Sequence, residues 1–559
     1  MSGRRPGVAR TAVTVVVVPL LAVFVVLPLA AVVVKSLGSG PAIYAEVLGS
    51  ASNRAALVNS LIVGAGAAAI AFLLGAPLGA ALARLKLRGA GVLGTLLVLP
   101  LAAPSYVWAM AWIALASPKA GWLNQLAPHP WVDIYGLKGI IFVEGLALYP
   151  LVLLPTRAAL ESADPSLEEA ARIGGAGPLR AFFTGSAPLA APAAASGALL
   201  AFLAAISSFG VPYLLGVATE HPALVATTRI YQALALGAEK DVRGAIALCM
   251  LLLTFGAGAA ILAARAARAR PSGAGKGRRV APLDAPGLNR VGSALAWTVA
   301  TFAVILPISA VILSALTKHY GRPPAFSNLT TDQFVTVLGK RDVHEALLHS
   351  AWLAFSAATA VVAVGASLAF LRRGRAGRAA AGLLRLAEAP YAVPGSVLAL
   401  AFLIAFSQPV RVILLDRVTV TFEVMGTLWI LGIAYSVKYL AFGARASDDA
   451  FRAIDPALEE AARISGAGPG RAFLDVALPL ARPALIAAWI LAFLPAATEL
   501  TMSVLLVGPK TQVLGTVLFK LASYADPPSA AVLACVVLVI AAGADILLRR
   551  VAGATGRMA

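Results

Sequence analysis

Charged residues are scarce in this chain, and their scarcity excludes an ordinary soluble protein. Of its 559 residues, 13% are charged and 60% are hydrophobic, whereas a soluble domain usually contains about 25% charged residues. The mean hydropathy of +0.86 agrees with this bias. Composition alone therefore predicts an integral membrane protein.

Cysteine and histidine are also rare. Cys249 and Cys535 lie in apolar stretches and give no information about redox compartment. None of the five histidines lies beside paired carboxylates in a cytoplasmic loop, which disfavours a membrane enzyme. Ionisable residues are nearly missing from the middle of the apolar stretches, which disfavours an ion-coupled secondary transporter. These two classes are kept as the alternatives.

The chain also lacks a segment that could hydrolyse ATP. No stretch between apolar segments exceeds roughly 45 residues, which is too short for an ATPase domain. The Gly-rich run that contains Lys276 is no phosphate loop, because it lacks the required glycine spacing, a following Ser or Thr and a preceding strand. Any nucleotide chemistry must come from another chain.

Long apolar stretches are what the chain has instead. A hydrocarbon core of about 30 Å needs about 20 apolar residues in a helix, since lipid offers no partner to backbone polar groups. Twelve such stretches occur, near residues 12–34, 57–83, 92–116, 139–156, 187–206, 245–264, 294–316, 347–371, 384–406, 423–442, 484–507 and 529–548.

The net charge of +19 is distributed unevenly across these predicted spans. With twelve crossings, 29 of the 45 Lys and Arg residues fall on the side of both termini and 15 fall on the other side. This asymmetry predicts that both termini are cytoplasmic, and it argues against nucleic acid as the partner. We interpret the first stretch as a retained membrane helix rather than a cleaved signal peptide, because it is long and has no clear cleavage site.

The sequence contains an internal duplication. Residues 164–182 (DPSLEEAARIGGAGPLRAF, the first block) and 455–473 (DPALEEAARISGAGPGRAF, the second block) agree at sixteen of nineteen positions and are 291 residues apart. Matching pairs outside the blocks are Pro100 and Pro104 with Pro390 and Pro394, Asn59-Ser60 with His349-Ser350, and Pro188 and Pro192 with Pro479 and Pro483. Six spans per copy place the copies in the same orientation, as parallel repeats. We predict a first half at 1–264, a cytoplasmic linker at 265–293 and a second half at 294–559.

Each block has the local signals of a short helix, a glycine turn and a second helix. Asp164 and Asp455 can cap the first helix, with a proline at its first position. The pairs Glu168 with Arg172 and Glu459 with Arg463 have the favoured i,i+4 spacing. The block can be an ordinary capped connection between spans. Its occurrence twice favours instead a pair of equivalent docking sites for a symmetric partner.

The blocks resemble the EAA loop of ABC importer permeases, and the loops extend over 161–190 and 452–483. The matching residues are Glu169, Ala170, Ala171 and Gly175 in the first block and Glu460, Ala461, Ala462 and Gly466 in the second. The resemblance implies an all-α integral membrane protein, with 12 transmembrane helices as two parallel six-helix repeats in the type I ABC importer permease fold. It also implies a non-catalytic subunit in the bacterial inner membrane.

Partners follow from the same resemblance. They are two copies of an ABC ATPase subunit, whose groove receives each EAA helix, and a periplasmic or lipoprotein substrate-binding protein. The chain itself is implied to bind no cofactor, since ATP and Mg belong to the ATPase; the remaining contact is membrane lipid.

Further segments resemble iron(III)-type fused permeases, and related families leave alternatives open. The matching segments are 390–395 (PYAVPG), 208–216 (SFGVPYLLG) and 499–506 (ELTMSVLL). Ferric iron is thus the expected substrate, with thiamine, polyamines or phosphonates as alternatives. Glu144, Glu499 and Tyr213 are the candidates for lining the translocation pathway, because a charge inside a span suggests function. Glu388, near Arg385, is expected to be a solvated carboxylate at a span end. No metal site is expected.

Overall fold

The computed structural model describes residues 8–217, 222–236, 241–268, 282–283, 285–322, 325–373, 377–414, 418–523 and 526–555. Within these ranges the regular secondary structure is helical, mostly α, apart from one antiparallel hairpin, so the predicted all-α class is confirmed. The hairpin pairs β1 (Val410–Leu414) with β2 (Val418–Phe422) and lies in a connection between helices. Residues 269–281 and 284 of the predicted linker lie outside the described residues.

The helices of the first half are α1 (Val8–Leu21), α2 (Leu27–Gly38), α3 (Ala42–Gly49), α4 (Ala51–Arg84), α5 (Ala90–Leu96), α6 (Leu99–Ala102), α7 (Ser105–Ala116), α8 (Gly136–Leu148), α9 (Pro150–Glu161), α10 (Ser166–Ile173), α11 (Pro178–Ala181), α12 (Ala187–Ser207), α13 (Gly210–Gly216), α14 (Ala226–Tyr231) and α15 (Val242–Arg268).

The helices of the second half are α16 (Pro286–Ala300), α17 (Leu306–Ala315), α18 (Asp332–Leu338), α19 (Arg341–Arg372), α20 (Gly377–Glu388), α21 (Gly395–Ala405), α22 (Leu428–Ala453), α23 (Pro456–Ile464), α24 (Pro469–Ala472), α25 (Leu478–Ala497), α26 (Ser503–Leu506), α27 (Leu514–Ser523) and α28 (Pro527–Thr555). Helices α15 and α16 thus extend into the interval predicted as linker.

The described residues contain nine helices long and apolar enough to cross a membrane, or up to 11 if two sharply bent pairs each count as one span. The exact count of twelve is therefore not confirmed. The remaining predicted stretch, 423–442, coincides with α22, which is 26 residues long. This helix is less apolar because it carries Lys438 and ends with Arg445, Asp448 and Asp449.

Both bent pairs break at a duplicated proline. The pair α5–α6 with α7 bends by 103°, and the pair α20 with α21 bends by 110°. Proline has no N–H to donate and drives the preceding residue out of the helical region. Ala103 before Pro104 and Val393 before Pro394 are accordingly extended, with ψ angles of 145° and 129°.

The carbonyl groups freed at the two breaks have different partners. In the first pair, the indole N–H of Trp108 donates to the Pro100 carbonyl at 3.1 Å. In the second pair, the Lys438 ammonium donates to the carbonyls of Val393 and, at 3.4 Å, Tyr391. Both solutions satisfy backbone groups that lipid cannot satisfy.

The described chain divides into two compact units that do not coincide with the two sequence halves. One unit comprises residues 1–43, 338–520 and 537–559, and the other comprises 44–337 and 521–536. The first membrane helix of each half thus belongs to the compact unit of the other half. This interleaving was not predicted from the duplication.

Inside each unit, a duplicated polar pair holds an equivalent connection, at residues 224–226 in one unit and 512–514 in the other. In one unit, the Asn59 amide donates to the Leu224 carbonyl at 2.9 Å and the Ser60 hydroxyl accepts from the N–H of Ala226 at 2.8 Å. In the other, a ring nitrogen of His349 lies 2.9 Å from the Gln512 carbonyl oxygen, and the Ser350 hydroxyl accepts from the N–H of Leu514 at 2.8 Å. The predicted correspondence of these pairs is thus a shared structural role.

Replacing either serine should destabilise the protein. Ser60→Ala and Ser350→Ala each leave a buried backbone N–H unsatisfied, at a cost of about 1–3 kcal/mol, which should lower the thermal unfolding midpoint in detergent. Ser309→Ala is the control, because the exposed Ser309 hydroxyl donates only within its own helix. Equal midpoints for all three variants and the unmodified protein would contradict this role.

Candidate functional site

Both blocks form the predicted capped helix. The Asp455 carboxylate accepts from the N–H of Ala457 at 2.9 Å, where α23 begins. The Asp164 carboxylate makes the same contact with the N–H of Ser166 at 2.9 Å, but α10 begins at Ser166, one residue later than predicted. This backbone hydrogen bond lowers the pKa of the exposed Asp164 carboxyl group.

Both helices end in the same tight turn. Gly175 and Gly466 have φ angles of +86° and +92°, a region that side chains disfavour. The residue after each glycine donates its N–H to the carbonyl five residues back, at 3.0 Å in both blocks. This Schellman arrangement sends the chain into the next helix at the same angle in both copies.

One face of each block helix is exposed. Ile173 and Ile464 are 89% and 88% exposed, which is unusual for large apolar side chains. The other exposed residues of this face are Leu167, Glu169, Ala170 and Gly175 in the first block and Leu458, Glu460, Ala461 and Gly466 in the second, while Ala171 and Ala462 are partly buried. The predicted site residues therefore form two similar surfaces of small and apolar groups, each with one carboxylate.

The opposite face of the first block is held by a buried ion pair. The Arg84 guanidinium, at the end of α4, donates to both carboxylate oxygens of Glu168 at 2.5 and 2.6 Å. The Ser186 hydroxyl donates to the same carboxylate. The Arg84 side chain is only 2% exposed and lies over the ring of Phe182 at 5.6 Å.

The second block has a similar but more open ion pair. The Arg373 guanidinium, just after α19, donates to the Glu459 carboxylate and, at 2.9 Å, to the Ile454 carbonyl. The two side chains are 17% and 19% exposed. Among the described residues, neither predicted i,i+4 pair is in ion-pair contact, since both carboxylates bind an arginine at the end of a long preceding helix. The charge of Arg172 still helps to lower the pKa of Glu168.

The pKa of Glu168 reflects these contacts. Burial alone would raise the pKa of its carboxyl group, but the hydrogen bonds from Arg84 and Ser186 and the positive charge of Arg84 outweigh burial and lower it. Glu168 is therefore ionised at neutral pH.

A phenylalanine anchors each block to the helices around it. Phe473 packs against Phe370 and Phe451, with ring centroids 4.9 and 4.7 Å apart. The corresponding Phe182 lies in a cluster with Leu283. Leu283, from the predicted linker, also donates its N–H to the Arg84 carbonyl at 2.8 Å, so the end of this segment is part of the first block's support.

The arginines of these ion pairs were missed by sequence reasoning. Arg84 and Arg373 were counted only toward the charge asymmetry across the membrane. Their signal was a basic residue at the end of the second span of each half. That signal did not identify an acidic partner about 85 residues further along the chain.

The three pathway candidates have different surroundings. Glu499 is buried, and its carboxylate accepts from the N–H groups of Met502 and Ser503 at 3.0 Å and from the Ser503 hydroxyl at 2.8 Å, so it caps α26. Glu144, on α8, is 1% exposed, and one of its carboxylate oxygens has no hydrogen-bond partner among the described residues. Tyr213 packs its ring against Tyr231, 5.7 Å away. Their part in transport stays a prediction.

The sequence also led to expectations about Glu388 and about metal binding. Glu388, expected to be a solvated carboxylate, is partly exposed and forms an ion pair with Arg445 at 3.1 Å. Over the described ranges, no group of three or more His, Cys, Asp or Glu side chains is placed to hold a metal ion.

Comparison with known proteins finds one family twice in the chain. The family model described as binding-protein-dependent transport system inner membrane component matches residues 75–270 and 361–556. The two matches contain the two blocks, one each.

Individual relatives match over most of the chain at low identity. A ferric transport system permease protein, FbpB, of Actinobacillus pleuropneumoniae is 24% identical, covering 89% of this chain and 72% of that protein. A Haemophilus influenzae protein named for the same role, FbpB 1, is 24% identical over 74% of this chain, which spans 64% of that relative's length. A Sinorhizobium fredii protein named a probable ABC transporter permease, y4fN, is 25% identical over 90% of this chain and 88% of its own length.

The lowered pKa of Glu168 predicts a pH-dependent contribution to stability. A carboxyl group whose pKa is lower in the folded state stabilises the fold above its unfolded pKa, about 4.3, and loses that contribution as the pH falls through the folded value. The difference in unfolding midpoint between the unmodified protein and Glu168→Gln should therefore be constant above about pH 5 and shrink toward pH 3. Glu169→Gln, on the exposed face, is the control and should change the midpoint little at any pH. A Glu168→Gln difference that persists unchanged at low pH would contradict the ion pair.

Proposed function

The chain belongs to the family of binding-protein-dependent transport system inner membrane components, and we propose that it imports ferric iron as the permease of an ABC transporter. Its family makes it a multi-pass transport subunit of the inner membrane rather than a catalyst. The observation that carries the proposal is the pair of blocks, because the same exposed helix and glycine turn occur once in each matched region. Such duplication suits a partner that is itself present twice.

The proposed ATPase partner docks on the exposed faces of the blocks. Two copies of an ABC ATPase would each receive one block helix in a groove, with Ile173 or Ile464 as the apolar contact and Glu169 or Glu460 as the charged contact. ATP and Mg are bound by those subunits. This arrangement places the blocks and both termini in the cytoplasm, in agreement with the charge asymmetry of the sequence.

The proposed mechanism is alternating access. Closure of the ATPase pair on ATP draws the two block helices together and opens the pathway outward, where a periplasmic or lipoprotein binding protein releases its ligand. Hydrolysis returns the pathway to the inward state. ATP can shift this equilibrium only through contacts that differ between the two states, and the docked blocks are the part of the chain that supplies them.

Ferric iron is favoured as the substrate by the segments that resemble iron(III)-type permeases and by the two relatives named for ferric transport. Iron is the cargo here, so the pathway requires no permanent metal site. Thiamine is the first alternative within the same class, followed by polyamines and phosphonates. An ion-coupled secondary transporter is the alternative from a different class.

Valine at either turn glycine should uncouple the ATPase. No neighbouring atom lies within 4 Å of a Cβ added at Gly175 or Gly466, so Gly175→Val and Gly466→Val are expected to act through the positive φ, which costs roughly 1–2 kcal/mol or redirects the helix. We expect normal amounts of permease in the membrane, weak recovery of the ATPase on co-purification, and little transport. Gly177→Val and Gly468→Val are matched controls, because those glycines are equally open but have ordinary φ angles of −65° and −68°.

Bulky residues on the exposed faces should have the same effect. Ala461→Trp and Ala170→Trp would overpack a close contact with the groove, typically at 1–3 kcal/mol, without disturbing the membrane helices. Ala379→Trp is the control, because Ala379 is an exposed residue of α20 outside the blocks. If the valine and tryptophan variants all show normal ATPase recovery and normal uptake, the blocks are ordinary capped connections between spans. The docking argument for placing the blocks in the cytoplasm would then be lost.

Deletion of the gene should reduce uptake of radioactive ferric iron by iron-limited cells. The unmodified gene should restore uptake and the Gly466→Val gene should not, which links the defect to docking rather than to growth. Normal iron uptake, in cells without a redundant system and with thiamine uptake lost, would reject ferric iron and favour the first alternative.

A further inference from the structure

We propose that Arg84 and Arg373 are positioning residues that join each block helix to a long membrane helix, so that movement of the docked ATPase is transmitted into the membrane. The inference rests on the proposed function, since it assumes that the blocks are where the ATPase docks. It adds that a specific pair of side chains, rather than the chain connection alone, carries the motion.

The first pair is built as a rigid joint. A planar guanidinium that donates to both oxygens of one carboxylate fixes orientation as well as distance. Arg84 makes this bidentate contact with Glu168 from the last residue of α4, which is 34 residues long. The site is also closely packed, because a Cβ added to Gly185 would lie 3.3 Å from the Cγ of Glu168.

The two neighbouring glutamates of the first block serve opposite faces. Glu168 is 4% exposed and points into the protein toward Arg84. Glu169 is exposed on the docking face. The helix is therefore held on one side by α4 while the other side is free for the partner. The buried ion pair is the direct polar contact from this helix to α4, and Phe182 of the same block adds an apolar contact beside it.

The second block repeats this joint with different details. Glu459 lies 291 residues after Glu168, yet Arg373 lies 289 residues after Arg84, so the arginines are not at the same aligned position. Arg373 also donates to the Ile454 carbonyl, just before the block. Ala477 occupies the position that corresponds to Ser186. The contact between carboxylate and guanidinium is retained although its surroundings differ.

Stability alone is a poor explanation for such a pair. Removing two charges from water costs energy that their attraction often fails to recover, and apolar replacements of similar shape are often as stable. What the pair provides is a defined geometry between two helices. Since the first pair is more enclosed than the second, loss of Arg84 should weaken transmission more than loss of Arg373.

The test measures the conformational change in the membrane part per ATP hydrolysed. It uses the whole transporter, reconstituted in lipid with its ATPase. A fluorophore attached at Lys119→Cys, in the connection after α7 and on the proposed outer side, reports the ATP-driven change without requiring the substrate. For Arg84→Met we expect assembly and ATP hydrolysis to continue while the fluorescence change per ATP falls about ten-fold. Arg373→Met should lower the fluorescence change per ATP less than Arg84→Met does. Arg84→Lys keeps the positive charge but cannot make the bidentate contact, so its value should lie between those of Arg84→Met and the unmodified protein.

Each control separates a different explanation. Arg88→Met removes an exposed arginine four residues further on and should leave the ratio unchanged. A purely structural role for Arg84 would lower the amount of assembled transporter but not the ratio. If Arg84→Met does not fold, Arg84→Lys decides the question.

An unchanged fluorescence change per ATP in Arg84→Met would overturn the inference. If Arg84→Met does not fold, the same result in Arg84→Lys would overturn it. Failure of the unmodified chain to bind the ATPase would instead reject the proposed function. The two failures are therefore distinguishable.

Discussion

The structure depends on one constraint, which is that lipid cannot form hydrogen bonds with the backbone. Every long apolar stretch is helical for that reason. Where prolines interrupt the helix, other groups cover the freed carbonyls. Trp108 does so at one break and Lys438 at the other. A basic residue inside α22 therefore has a structural role at the break, in addition to any role it has in transport.

The two halves of the chain make equivalent contacts even where the residues that make them differ. Asn59 and His349 differ in chemistry, yet each contacts a carbonyl in the equivalent connection of its own unit. The block carboxylates bind arginines at shifted positions. Each copy must satisfy the same buried groups, because an unpaired one is costly, but several side chains can satisfy them.

The block helices connect two environments. Their exposed faces carry small and apolar residues that the described part of the chain leaves uncovered. Their inner faces carry a carboxylate bound by an arginine at the end of a membrane helix. A subunit that couples ATP to transport needs both an outward surface for the partner and an inward link to the spans. The glycine turns set how each block helix is followed by the next helix, because each turn needs a positive φ that glycine adopts without strain.

The amino-acid sequence by itself determined the membrane class, the positions of most spans, the duplication, and the helix and glycine turn of each block. These features follow from local or periodic signals, such as apolar length, Pro104 and Pro394, Asp455 and Gly466. The sequence placed the starts of the two block helices to within one residue. Several span ends differ more, such as the end predicted at residue 507 and observed at Ala497, and the sequence did not establish the exact number of spans. Helix α22 shows the reason, since its charged end makes it less apolar than its neighbours.

The tertiary structure decided what depends on distant parts of the chain. It paired Glu168 with Arg84 and Glu459 with Arg373 rather than with the arginines four residues on, because a local i,i+4 contact at an exposed surface is weak. The contact of Glu168 with Arg84 is buried and bidentate, which makes it stronger. It also placed Glu499 as a helix cap and assigned the first membrane helix of each half to the other compact unit. None of these choices has a local signal, since each depends on which helices pack together.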